Sequence, residues 1–202
     1  MSRHLNKNYI ENFFFFADQI NTEIIKQILK FKNISIIYNT LNQSEDLKKI
    51  KQMQIFCKKN NIKLYITNNY RLAIKIKSDG IFINNKIKRK LIINYKKNNF
   101  KIIAGVHSQQ EYHIKTKESF ENLLISPIFY NEKYSINKIL NPIKFNLLTL
   151  NWQKRKYALG GIKINNLKKT YLTTSCGVGF ISLIKDLKIK KPVCYFNRRA
   201  FN

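Results

Sequence analysis

Eight short apolar runs punctuate this chain of 202 residues, and their spacing constrains the fold more than any other feature. They cover residues 13–16, 34–39, 63–67, 80–83, 101–106, 122–129, 156–160 and 177–182. Each is nearly uninterrupted in Ile, Phe, Leu and Val. Strands buried on both faces read this way, because neither face meets water. Amphipathic, helix-like stretches lie between them: 19–31, 44–60, 70–77, 87–95, 109–117, a segment near Leu147, and 165–172. Ser44 is placed to cap the second of these, and Leu47, Ile50, Met53, Ile55 and Phe56 follow it at helix-compatible spacing. Strand and helix in regular alternation predict a parallel sheet with right-handed crossovers. Eight such units in this length predict a single (β/α)8 TIM barrel, at the lower limit of its size. A doubly wound open sheet would not ask for eight regular units. No Pro-, Gly- or Ser-rich linker interrupts the pattern, so one domain spanning 1–202 is expected, with its core at about 13–185 and a basic C-terminal tail carrying Arg198 and Arg199.

The formal charge of +27 raises nucleic acid as a partner. The lysines are spread over nearly every helix-like segment, however, and the chain is equally rich in Asn and Ile. The one dense cluster, 86–97, lacks the interleaved aromatics of an RNA-reading sheet. It reads as a solvated face, leaving nucleic acid only non-specific charge attraction. Three widely spaced cysteines, Cys57, Cys176 and Cys194, make neither a disulfide framework nor a zinc site, and Cys176 is expected to be small and buried. A cytoplasmic setting is expected. No run of 18 uncharged apolar residues marks a membrane span. Residues 13–16 are too short for a signal-peptide core and are flanked by Glu11 and Asp18.

In such a barrel, ligands meet the C-terminal ends of the strands, and phosphate sits at the loops after strands seven and eight. The seventh run stops abruptly at Gly160-Gly161, followed by what reads as a polar helix start. Glycines let backbone N–H groups approach an anion, and a helix N-terminus adds partial positive charge. Sixteen residues later comes Gly177-Val178-Gly179-Phe180-Ile181-Ser182, a second strand running into a polar turn. The alternative is that Gly-Gly merely makes a tight turn.

Four segments, in order, resemble the thiamine phosphate synthase/TenI family: Leu72-Ala73 with Ser78-Asp79-Gly80-Ile81, His107-Ser108, Ser126-Pro127-Ile128-Phe129, and Leu159-Gly160-Gly161-Ile162 with residues 177–182. The resemblance implies a (β/α)8 barrel. It implies small phosphorylated substrates and an enzyme that joins an aminopyrimidine diphosphate to a thiazole phosphate, releasing pyrophosphate. Magnesium is the implied cofactor. The thiazole-phosphate half of the family's site falls on Gly160, Gly161, Ile181 and Ser182. The diphosphate half departs from the family. Its Arg and Lys after strand two are Asn39 and Leu41 here. Its Asn-Asp after strand three falls on Thr67-Asn68, with Asn69 adjacent. Its second Asp falls on Ile87, and the His of strand four is Phe82. No metal-ligand set is therefore assigned, since magnesium is usually held by one or two carboxylates. Lys133, Lys86 and Lys88 could supply replacement charge.

His107 is the histidine expected at the mouth and the acid/base candidate, with Lys133 beside it as the second catalytic candidate. Its alternative role is a hydrogen-bonded strand end. The family's tautomerase branch needs no metal and uses a His at the end of strand six, where Pro127 stands here. His113 is expected on the surface of a helix. Three outcomes follow: a thiamine phosphate synthase-like enzyme, a catalytically degenerate member binding a phosphorylated thiazole-like ligand (or, further off, a thiazole tautomerase), or a basic nucleic-acid-associated protein that kept the fold.

Overall fold

A computed structural model describes residues 12–39, 47–84, 100–117, 120, 122–132 and 134–181. Eight parallel strands close into a barrel in sequence order, β1 pairing with both β2 and β8. They are β1 (Asn12–Ala17), β2 (Ile34–Tyr38), β3 (Lys63–Thr67), β4 (Gly80–Ile83), β5 (Lys101–Val106), β6 (Asn122–Ile125), β7 (Arg155–Leu159) and β8 (Gly177–Phe180). Helices α1 (Thr22–Ile28), α2 (Leu47–Lys59), α3 (Tyr70–Lys75), α4 (Gln109–Lys117) and α5 (Asn141–Leu148) follow β1, β2, β3, β5 and β6. All eight apolar runs thus become strands of a (β/α)8 barrel, as the sequence pattern predicts. No helix among the described residues is long and apolar enough to cross a membrane.

Three local expectations change. The sixth strand ends at Ile125 rather than continuing to residue 129, although Ile128 and Phe129 still donate backbone hydrogen bonds to Leu159 and Gly160 at 2.9 and 3.1 Å. No α-helix starts directly after Gly160-Gly161. A turn over 164–166 leads to a short 3-10 helix, Leu167–Leu172, because Asn166 turns back on the loop, accepting the Lys163 N–H and donating to the Gly161 carbonyl. Cys176 is half-buried at the edge of the barrel interior rather than enclosed.

The strands carry two cores because successive side chains point to opposite faces. Phe13, Phe15, Ile34, Ile36, Leu64, Ile66, Leu123, Val178 and Phe180 face the helices. Phe14, Ile37, Tyr65, Phe82, Ile103, Leu124 and Tyr157 fill the barrel interior, with Phe16 and Leu159 against them. The interior is an aromatic lattice: Phe14 meets Tyr157 edge-on at 4.9 Å, and Phe16 meets Phe82 at 5.1 Å. Gly179 supplies the matching gap, since a Cβ there would lie 3.0 to 3.1 Å from Leu159 and Leu124. The centre is therefore packed, and ligand chemistry is left to the strand ends.

Candidate functional site at the barrel mouth

The C-terminal ends of the strands bring most of the named positions to one rim. Alternation from Ile37 and Tyr65 points Asn39 and Thr67 inward, and the register sets them side by side, one step beyond the Tyr38↔Ile66 pair. Asn39 is half-buried and its N–H donates to the Ala17 carbonyl at 2.9 Å; Thr67 is buried. Asn68 adopts a left-handed backbone (φ 51°), and its side-chain oxygen accepts the Asn84 N–H at 3.0 Å. It thereby fastens the end of β3 to the end of β4. Asn69 caps α3, accepting the Leu72 N–H at 3.0 Å. At the positions that would hold magnesium, the described chain thus offers amides engaged with backbone, and no carboxylate. Nor do any three His, Cys, Asp or Glu among the described residues form a metal-holding group. This donor set does not fit magnesium, which takes carboxylate and water oxygens in a tight octahedron.

His107 follows β5 and is exposed. Its Nδ1 lies 3.0 Å from the Ser126 hydroxyl on the next strand end, and the Tyr134 ring stacks on it at 6.0 Å and 30°. The chain around it is held by α4. Ser108 Oγ accepts the Glu111 N–H at 3.2 Å, and Glu111 reaches back to accept the His107 N–H at 3.0 Å. This is a capping box displaced by one residue. One turn further, buried Lys115 donates to the Gly105 carbonyl and lies 3.8 Å from Glu111. His113 is exposed on α4, as expected.

Gly160 and Gly161 both have positive φ, 92° and 69°. A Cβ on Gly161 would lie 2.3 Å from the Phe129 carbonyl oxygen, and one on Gly160 would lie 3.0 Å from Pro127. The fold itself therefore demands glycine here, because the loops after β6 and β7 run in backbone contact. The same conformation leaves the Gly160 and Gly161 N–H groups without a backbone acceptor among the described residues. Consecutive N–H groups without a backbone acceptor are what an anion-binding nest is built from. Ile181 is exposed and directly follows the end of β8, the neighbour of β7 in the barrel. Ser182, Lys133, Lys86 and Lys88 lie outside the described residues, as does Ile87.

The family model described as thiamine monophosphate synthase matches residues 16–187. The chain belongs to that family. The thiamine monophosphate synthase match runs from the end of β1 through β8 and takes in both halves of the rim. A curated relative from Aquifex aeolicus (strain VF5), "Putative thiamine-phosphate synthase 2", is 27% identical over 187 residues, covering 89% of this chain and 94% of its own. Among solved structures, thiamine phosphate pyrophosphorylase from Pyrococcus furiosus superposes with a TM-score of 0.72 at 15% identity, over 91% of this chain and 96% of that one. N-(5'-phosphoribosyl)anthranilate isomerase from the same organism gives 0.61 at 10% identity, over 88% and 96%. These structural likenesses establish the barrel and nothing finer.

Sequence reasoning passed over Ser126, Tyr134, Asn84 and Lys115. Ser126 was legible as part of Ser-Pro-Ile-Phe, but its contact with His107 depends on adjacency across two strands. The Ser108-x-x-Glu111 spacing was the local signal that could have shown His107 to be anchored. Nothing in the order of residues marks Lys115 as buried.

Proposed function

We propose that this chain is a thiamine phosphate synthase-type transferase acting on two phosphorylated precursors. The thiazole ring nitrogen would donate its lone pair to the methylene carbon of the aminopyrimidine, forming the C–N bond. The C–O bond to diphosphate would break, and the pyrophosphate would leave with that electron pair. A barrel rim suits such a step by holding nucleophile and leaving group in line. The family match over residues 16–187 carries this reading. The Gly160–Gly161 nest is its candidate for the thiazole phosphate, and the family resemblance adds Ile181 and Ser182 to that half of the site. Asn39, Thr67 and Asn68 form the pyrimidine side. Lys133 would balance charge on the leaving group, where a cation is worth most.

A second reading is favoured by one observation: where the family's first magnesium carboxylate would stand, after β3, the chain has amides bound to backbone. On that reading the chain binds the phosphorylated thiazole without transferring anything to it. Incubation of the purified chain with both precursors, with and without magnesium, separates the two. Thiamine phosphate above background supports the transferase; its absence refutes it. Calorimetry with thiazole phosphate against the unphosphorylated thiazole alcohol then tests the second reading. Equal or absent binding of the two rejects a phosphate nest.

A further inference from the structure

We propose that Ser126 fixes the tautomer of His107, so that the imidazole presents a neutral Nε2–H donor to a phosphate oxygen at the rim. The choice of ligand rests on the reading of this mouth as a phosphate site; the tautomer does not. Ser126 is 4% exposed, and its hydroxyl has one hydrogen-bonding neighbour among the described residues, His107 Nδ1 at 3.0 Å. A hydroxyl carries a single proton. If the ring proton sat on Nδ1, it would point at Oγ, and the serine proton would be buried without an acceptor, an arrangement folded chains avoid. If Ser126 donates to Nδ1, both groups are satisfied and the ring proton must sit on Nε2.

The remaining contacts hold the ring and leave that edge open. The His107 N–H is tied to Glu111, and Tyr134 covers a face of the ring. Nε2 has no hydrogen-bond partner among the described residues. On its other side Ser126 abuts Gly160, where a built Cβ would come within 3.4 Å of the serine Cβ. The Nε2–H and the N–H groups of Gly160 and Gly161 therefore belong to one sector of the rim, between β5 and β7. All are donors, and no carboxylate among the described residues shares a hydrogen bond with them. A cluster of donors alone suits an anion such as a phosphate oxygen. His107 in this state serves as a hydrogen-bond donor. It cannot open a reaction as a base through Nε2, which already carries a proton.

Nitrogen-detected NMR of the histidine rings in the full chain tests the tautomer without any need for activity. His107 is assigned by comparison with His107→Gln. The expected spectrum has unprotonated Nδ1 and protonated Nε2; a proton on Nδ1 overturns the proposal. Ser126→Ala should abolish the single tautomer and give a mixture, whereas an unchanged ring rejects the role of Ser126. Ser126→Cys, a weaker donor of similar size, should fall between the two. Titration with inorganic phosphate and with thiazole phosphate should shift the Nε2 signal. If neither moves it, the phosphate assignment fails. Binding of thiazole phosphate should weaken about five- to tenfold in His107→Ala, the scale of one neutral hydrogen bond. It should be largely retained in His107→Gln, whose amide also donates. Equal losses in the two variants would show a packing role and overturn the donor role. Lack of thiamine phosphate synthesis would leave each of these readouts intact.

Discussion

Alanine at the two adjacent glycines after β7 should have unequal effects, and the inequality tests why glycine stands there. Both positions lie in the left-handed region, which costs a residue bearing Cβ about 1–2 kcal/mol. At Gly160 the added methyl meets Pro127 at 3.0 and 3.1 Å and Ser126 at 3.4 Å, contacts that a shift of a few tenths of an ångström relieves. Gly160→Ala should therefore cost about 2 kcal/mol, mostly from the backbone conformation. At Gly161 the methyl meets Phe129 O at 2.3 Å and Phe129 C and Tyr130 O at 2.6 Å. These are backbone atoms, so no rotamer change removes the overlap. The loop must separate, straining the hydrogen bonds from Ile128 to Leu159 and from Phe129 to Gly160. At about 1 kcal/mol for each bond, Gly161→Ala should cost about 4 kcal/mol. Urea unfolding with unchanged slope reads both values directly. A Gly161→Ala cost equal to or below that of Gly160→Ala would refute the close loop contact. The result also bears on function: lost ligand affinity in a Gly161 variant reports a displaced loop as much as a lost phosphate contact.

Three further outcomes follow. Phe14→Ala should cost about 4 kcal/mol by opening a cavity in the interior and removing the edge-on contact with Tyr157, measured by urea unfolding; a loss under 1 kcal/mol would mean that the interior is not close-packed. Burial first, and then the charge of Asp79, push the Cys57 thiol from 9.0 up to about 12. The folded chain then keeps a proton that the unfolded chain releases above pH 9, so stability is full below that pH and is lost as pH rises towards 12. Relative to Cys57→Ser, the native chain should lose about 1.4 kcal/mol between pH 7 and pH 10, and parallel pH profiles would contradict the shift. Lys115→Met keeps the buried stem but strips the Gly105 carbonyl of its charged donor, and should cost about 2 kcal/mol in urea unfolding; a neutral result would show that the bond contributes nothing.

The fold was legible because burial leaves a mark on composition at every strand. A strand covered on both faces admits almost nothing but apolar residues, and eight such runs admit few closures. Where the pattern overreached, at residues 126–129, the run stays apolar because Pro127 and Ile128 remain buried against the β7 loop after the sheet pairing has ended. The site was less legible. Gly160-Gly161 suggested phosphate, yet the same dipeptide answers a packing demand from Phe129, and sequence does not separate the two. Asn69 was the alternative to Asn68 for the family's Asp after strand three, and its oxygen is engaged in capping α3. His107 was visible as a residue at a strand end. Its character is set by Ser126, nineteen positions away, through a contact that exists only once β5 and β6 lie side by side.

Among its described side chains helix α4 buries no apolar one, and Lys115 is its buried member. It is joined to the barrel by the Lys115–Gly105 bond, by Glu111 and Ser108, and by Tyr112 stacked on Trp152 at 3.6 Å. Helix α2, by contrast, sinks Ile50, Met53 and Cys57. Polar attachments weaken in denaturant or salt without the cooperative collapse that apolar burial imposes. Among the described helices, the one that anchors His107 is thus the one the barrel can release most cheaply. Amide exchange along α4 should outrun that of α2, and the rim would lose its histidine while the eight strands stayed closed.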